Sequence, residues 1–163
     1  MSFKKFLTYI SFIVINLTFI NSSYSIEPDI FVQSTVNRAS QVLSNNLSKD
    51  EKIVKLKTIA AETVDIQGIG MYTLGSYRKV LSEYQKNEYD ALFKQYFLKT
   101  FSSRLAEYSN PEIEVKSKEK LNKNYTIVRS VLVATELRPE VNIDWRVYTK
   151  NPDDLKIRDL IIE

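Results

Sequence analysis

The 163-residue sequence contains no cysteine and no histidine, and each absence excludes a class of protein. Without cysteine there is no disulfide framework, so packing alone must stabilise the fold. Without histidine there is no imidazole for acid–base catalysis, for a Ser-His pair or for most zinc sites. The glycines Gly68, Gly70 and Gly75 form no phosphate-binding loop, because no Gly-Lys-Ser/Thr follows them. We therefore expect a protein that is not an enzyme and has no catalytic residue, metal site or cofactor.

Carboxylate pairs are the remaining candidates for acid–base chemistry or for binding a hard cation. Asp153 and Asp154 directly follow Asn151-Pro152, and this sequence is typical of a turn. Asp144 and Asp159 lie in segments with strand periodicity, where we interpret them as cross-strand charges on a solvated face.

Residues 1–25 have the pattern of a secretory signal peptide. Lys4 and Lys5 precede an apolar run over residues 6–20, and Ser23 and Ser25 supply small side chains at the cleavage positions. The run is shorter than the roughly twenty residues that span a bilayer, and no cysteine follows it to carry a lipid anchor. We expect cleavage, a mature chain that is soluble in the periplasm, and a net charge lowered from +3 to +1, which argues against nucleic-acid binding.

Residues 28–109 are predicted to form four helices. Apolar residues recur at helical spacing from Ile30 to Leu43, and Ser48-x-x-Glu51 is a capping box for the second helix. Asp65 is an N-cap candidate for a short helix that ends at Gly75. A second capping box, Ser82-x-x-Gln85, begins a long helix with a stripe of large side chains: Tyr89, Leu92, Phe93, Tyr96, Phe97, Phe101, Leu105 and Tyr108.

The periodicity changes to two after Asn110-Pro111, which predicts strands over residues 112–162. Alternation is weak over 112–120, stronger over 125–136, and clear over 141–148, and a turn leads into 155–162. Helices followed by an antiparallel meander predict an α+β fold, and residues 26–163 are predicted to form a single domain.

The aromatic stripe of the long helix has two interpretations. It is either an ordinary face packed against the core or one wall of a lipid pocket. The order of the motifs VDIQGIGMYTLGSYRKV and YDALFKQYFLKTFSSRLAEY, followed by VNIDWRVYTKNPDDLKIRDLIIE, resembles the MlaC family of periplasmic phospholipid-binding proteins, also called toluene-tolerance proteins. The residues that carry the resemblance are Leu74, Gly75, Tyr77, Phe93, Phe97, Phe101, Leu105 and Tyr108.

This resemblance implies a helical part packed on an antiparallel, nuclear-transport-factor-like sheet, with lipid tails between them. It also implies a phospholipid shuttle that maintains outer-membrane lipid asymmetry. Its partners would be an inner-membrane ABC lipid transporter and an outer-membrane lipoprotein complex, and the protein itself would be a monomer. The lipid-binding residues expected by this likeness are Ile69, Tyr72, Leu74, Tyr77, Phe93, Tyr96, Phe97, Phe101, Ile127, Val131, Ile143, Trp145 and Val147.

The sequence departs from the family pattern in two ways. Arg78 and Leu155 stand at or near positions where the family usually has tryptophan, and the sequence stops at Glu163, where the family continues with a strand and a helix. We therefore expect a chain truncated at its C-terminus. Two alternatives to a shuttle stay open: a periplasmic adaptor with a packed interior, and a decayed fragment of a lipid carrier.

Cleavage of the signal peptide is directly testable. We expect protein purified from the periplasm to begin near Ile26, as measured by N-terminal sequencing. Ser25→Phe should block processing because signal peptidase requires a small residue there, whereas Tyr24→Phe should not. Recovery of a chain that retains residues 1–25 would contradict the prediction.

Overall fold

The computed structural model describes residues 25–136 and 138–163, so residues 1–24 of the predicted signal peptide lie outside the described residues. Helices precede strands, as predicted, and the strands form one antiparallel sheet in the order β1-β2-β3-β4. The elements are α1 (Pro28–Ser44), α2 (Lys49–Thr63), α3 (Ile66–Thr73), a 3-10 helix (Gly75–Lys79), α4 (Glu83–Leu105), β1 (Ile113–Asn122), β2 (Tyr125–Leu132), β3 (Val141–Tyr148) and β4 (Lys156–Ile162).

Helices α2, α3 and α4 begin where their capping residues predicted. The Ser48 hydroxyl accepts from the Glu51 amide, and the Glu51 carboxylate accepts from the Ser48 amide at 2.9 Å. Ser82 and Gln85 form the same reciprocal pair at the start of α4. Asp65 caps α3 by accepting from the Gly68 amide at 2.8 Å. These bonds satisfy amide groups that have no partner within the helix, so local sequence fixes the helix starts.

The core lies between α1 and the inner face of the sheet. Val32 of α1 is fully buried against Val128 and Val147, which lie on the two central strands. Trp145 is paired with Val128 across β2 and β3 and with Leu160 across β3 and β4. By contrast, β1 is largely exposed beyond Val115, which agrees with the predicted edge strand.

Polar contacts attach the helices to the sheet at both of its edges. At β1, the Gln33 amide donates to the Ile113 carbonyl at 3.1 Å and accepts from the Val115 amide at 2.9 Å. At β4, the Asp65 amide donates to the Ile157 carbonyl at 2.9 Å. We call these the β1 clamp and the β4 clamp.

Arg158 strengthens the β4 clamp. Its guanidinium donates to the Asp65 carboxylate and, at 2.9 Å, to the Tyr125 hydroxyl, and it lies 4.4 Å from the centre of the Tyr148 ring. Partial burial opposes the charge of Arg158, but the bonds to Asp65 and Tyr125 outweigh it and raise the pKa of Arg158. The guanidinium therefore stays charged and keeps the start of α3 attached to the sheet.

Most of the aromatic stripe of α4 does not face the sheet, although its C-terminal members Phe101, Leu105 and Tyr108 line the space between the helices and the sheet. The helix packs chiefly against α2 and α3. Its rings stack along their own helix, with centroids 5.7 Å apart for Tyr89 and Phe93, and 5.3 Å apart for Phe97 and Phe101. Spacing showed that these side chains share a face, but it did not show which element covers that face.

Among the described residues, no helix has the length and apolar character needed to cross a membrane.

Gly70 allows the close approach of α3 and α4. A Cβ atom at this position would lie 2.8 Å from Cδ1 of Phe93. We expect overpacking in Gly70→Ala to lower the free energy of unfolding by about 1–3 kcal/mol. The higher helix propensity of alanine, worth roughly 1 kcal/mol, should offset part of this loss. Urea unfolding measures the change. In a Phe93→Ala background the same substitution should become neutral or stabilising, and an equal loss in both backgrounds would contradict the proposed clash.

Candidate ligand-binding cavity

An apolar cavity of about 330 Å³ lies between the helical layer and the sheet. Its walls come from α1, α2, the C-terminal part of α4 and all four strands. The apolar lining residues are Val36, Ala39, Leu43, Leu56, Ile59, Ala60, Val64, Phe101, Leu105, Tyr108, Pro111, Ile113, Leu132, Val141, Ile143, Trp145, Ile157, Leu160 and Ile162.

Helical and strand periodicity bring these side chains to one space. On α2, Leu56, Ile59 and Ala60 follow one another at i, i+3 and i+4, so they share the face that looks toward the sheet. On β3, Ile143 and Trp145 are two residues apart and point to the same side.

A β-bulge gives β4 its contribution to the cavity. Arg146 pairs with Asp159, but the next residue, Val147, pairs with Ile157, so Arg158 is an extra residue in β4. The extra residue reverses the alternation along the strand. As a result Ile157 and Leu160, which are three residues apart, both line the cavity, and Arg158 is free to form the β4 clamp.

Hydroxyl groups around the cavity are already satisfied by the backbone. Thr35 donates to Phe31 at 2.9 Å and Thr63 to Ile59 at 2.7 Å, each within its own helix. Ser40 donates to Pro111 at 2.7 Å. These side chains therefore contribute little hydrogen-bonding capacity to the interior, which leaves a surface suited to hydrocarbon.

The cavity opens at one end of the sheet. Its lining residues are buried or half-buried except for Tyr108, which is 43% exposed, and Ile162, which is 66% exposed. The Arg138 guanidinium also lines this space and lies 5.4 Å from the centre of the Tyr108 ring. The opening therefore combines an aromatic, an aliphatic and a cationic side chain.

A depression on the outer surface of α1 is larger, at about 580 Å³, but it has a different character. Five of its six lining residues are polar or charged, and it lies open to solvent. It offers no surface that would exclude water from an apolar ligand.

Three of the lipid-binding residues predicted from sequence line the cavity: Phe101, Ile143 and Trp145. The other predicted residues are placed elsewhere. Ile127 and Val147 are buried in the sheet and Val131 is half-buried; Ile69, Leu74, Phe93 and Phe97 are half-buried in the helical layer; and Tyr72, Tyr77 and Tyr96 are exposed.

Sequence reasoning missed the cavity walls from α1 and α2. The sequence shows the helical spacing of Leu56, Ile59 and Ala60. This spacing does not reveal that α2 faces the sheet, or that most of α4 packs against other helices. Arg138 carried no signal at all, because it lies in a connection between strands whose position depends on the folded hairpin.

Helices packed over one face of an antiparallel sheet, with an apolar cavity between them, define this chain as an α+β protein with an internal cavity. The sequence profile of the MlaC protein family matches residues 33–163, and the chain belongs to this family. No curated protein matches the chain.

A solved structure with the same fold is that of the phospholipid-binding protein from Ralstonia solanacearum in complex with a phospholipid. It superposes with a TM-score of 0.68 over 85% of this chain and 79% of that chain, at 17% sequence identity. The likeness confirms the predicted fold, in which helices pack on an antiparallel sheet.

Trp145 borders the cavity, and a buried hydrogen bond fixes its ring. Its Nε1 donates to the Ser130 hydroxyl at 2.8 Å, and that hydroxyl donates to the Ile143 carbonyl at 3.1 Å. We expect Ser130→Ala to lower the free energy of unfolding by about 1–3 kcal/mol, because it leaves the indole N–H unpaired. Urea unfolding measures the change, with the exposed Ser117→Ala as control. Equal midpoints for the two variants would contradict the assigned role.

Proposed function

We propose that the protein binds a phospholipid by enclosing its acyl chains in the apolar cavity. The observation that carries this proposal is the apolar cavity itself, whose bordering hydroxyls are satisfied by the backbone. Membership of the MlaC family and a structural neighbour solved with phospholipid support it. The proposed contacts are Phe101, Ile143 and Trp145 together with Leu56, Ile59 and Ala60.

The energetic need for such a cavity is large. Each CH₂ group moved into water costs about 0.8 kcal/mol, so two chains of about fifteen such groups would cost on the order of 24 kcal/mol if exposed. The cavity volume of about 330 Å³ lies at the lower end of the roughly 300–1,000 Å³ that is usual for ligand pockets.

We further propose that the protein shuttles phospholipid through the periplasm, between an outer-membrane lipoprotein complex and an inner-membrane ABC transporter. The predicted signal peptide and the family resemblance support this role, which would maintain outer-membrane lipid asymmetry. Binding without reaction agrees with a sequence that lacks histidine and cysteine. Within residues 25–136 and 138–163, no group of carboxylates is arranged to hold a metal ion.

The adaptor hypothesis makes a different prediction about the interior. An adaptor whose sheet is filled by its own side chains would leave no apolar space under α1 and α2. The cavity between these helices and the sheet therefore favours the carrier.

Filling the cavity should prevent lipid binding. Ala60 is 2% exposed and lines the cavity, whereas its neighbour Ala61 is exposed and does not line it. We expect Ala60→Phe to lower the phospholipid retained after purification at least fivefold, because the ring occupies space needed by an acyl chain, and Ala61→Phe to leave it unchanged. Solvent extraction and mass spectrometry of the full chain, purified after export, measure the retained lipid.

The possible outcomes distinguish lipid binding in this cavity from binding elsewhere and from no lipid binding. Absence of phospholipid from the wild-type protein would count against lipid binding altogether. Equal retention by Ala60→Phe and Ala61→Phe would show that lipid binds outside this cavity. Thermal unfolding of both variants establishes that each is folded.

A further inference from the structure

Arg138 has a fixed position at the opening of the cavity. It lies in the connection between β2 and β3, where its backbone forms a two-way bridge with Thr135: the Thr135 amide donates at 2.8 Å and the Arg138 amide donates back at 3.2 Å. The Tyr108 ring, 5.4 Å from the guanidinium carbon, adds a cation–π contact. The bridge fixes the main chain of Arg138, and the ring contact places its half-buried side chain beside the cavity.

The guanidinium of Arg138 has no anionic partner among the described residues. Its Nε is buried without a hydrogen-bond acceptor. Arg146 and Arg158 also have a buried Nε that lacks a partner, but their terminal nitrogens pair with Asp159 and Asp65. Arg138 forms no such ion pair in the part of the chain that the structure describes.

A half-buried cation beside an apolar cavity loses part of its hydration, and an anionic partner would compensate for that loss. Nε is buried, but the edge formed by the two terminal nitrogens has no acidic partner among the described residues and is available to a ligand. That edge matches phosphate or carboxylate oxygens and can bind two of them at once. An amphiphile with its chain in the cavity would place an anionic head at this point.

We propose that Arg138 is the binding site for the anionic head of the cavity ligand and selects oxyanion-bearing lipids over neutral ones. The proposal rests on the proposed function, since it assumes an acyl chain in the cavity. The chemistry it needs is an oxyanion attached to a chain, which is supplied either by the phosphodiester of a phospholipid or by the carboxylate of a fatty acid.

The test compares three probes: dioctanoyl phosphatidylglycerol and dioctanoylglycerol, which have the same two chains, and decanoate, a single-chain carboxylate. Binding to the exported full chain is followed by the fluorescence of Trp145, the single tryptophan, which lines the cavity. We expect Arg138→Gln to weaken phosphatidylglycerol binding about tenfold or more and to leave dioctanoylglycerol binding unchanged, as for loss of a charge-assisted hydrogen bond. Arg138→Lys should weaken phosphatidylglycerol binding less.

Arg78→Gln is the matched control, because Arg78 is exposed on the 3-10 helix and does not line the cavity. It removes the same charge and should change none of the three affinities. Weaker binding of decanoate to Arg138→Gln as well would show that the guanidinium recognises carboxylate and phosphate alike. Loss confined to phosphatidylglycerol would identify the phosphodiester as its ligand.

Two results would overturn the proposal while leaving the proposed function intact: equal phosphatidylglycerol affinity in wild type and Arg138→Gln, or equal weakening of phosphatidylglycerol and dioctanoylglycerol. The second result would mean that Arg138 supports the cavity wall and does not recognise the charge of the lipid head. Failure of the wild-type chain to bind any probe would instead overturn lipid binding, and this proposal with it. Thermal unfolding of Arg138→Gln and Arg138→Lys confirms that each variant is folded.

Discussion

The attachment of the helical layer to the two edge strands is the constraint on which the rest of the structure depends. Gln33 binds the backbone of β1, and Asp65 binds β4 through the Ile157 carbonyl and Arg158. These contacts are directional and polar, so they fix where α1 and α2 lie over the sheet. The apolar side chains between the clamps need not close completely to hold the layers together, and a cavity is left.

The aromatic stripe of α4 takes a structural role for most of its length. Its stacked rings and the close approach of Phe93 to Gly70 join α4 to α3, and Phe101 near the C-terminal end reaches the cavity. The long helix therefore supports α2 from outside, and α2 provides the wall. A stripe of large side chains on a helix indicates that another element packs against that face. The element can be another helix rather than a sheet.

In the proposed site, the cavity and its opening would divide the recognition of an amphiphile into two parts. The apolar walls gain free energy in proportion to the hydrocarbon they remove from water, and they do so without regard to the identity of the head. Arg138 stands where the apolar surface ends, and charge-assisted contacts there depend strongly on the chemistry of the head. Affinity and selectivity would thus come from different residues of one site.

The sequence by itself determined the features that depend on near neighbours along the chain. Ser48, Asp65 and Ser82 cap their helices because each bond spans three residues, and alternation from Val141 to Tyr148 yields a strand with one buried face. The α+β fold and the family followed from the order of these elements.

Only the tertiary structure decided where the apolar cavity lies. The facing of α2 toward the sheet, the bulge at Arg158 and the position of Arg138 all depend on contacts between residues far apart in sequence. Periodicity identifies which side chains share a face, but the partner of that face is chosen by the packing of the whole domain. For this reason Trp145 was predicted at the site while Ala60 was not.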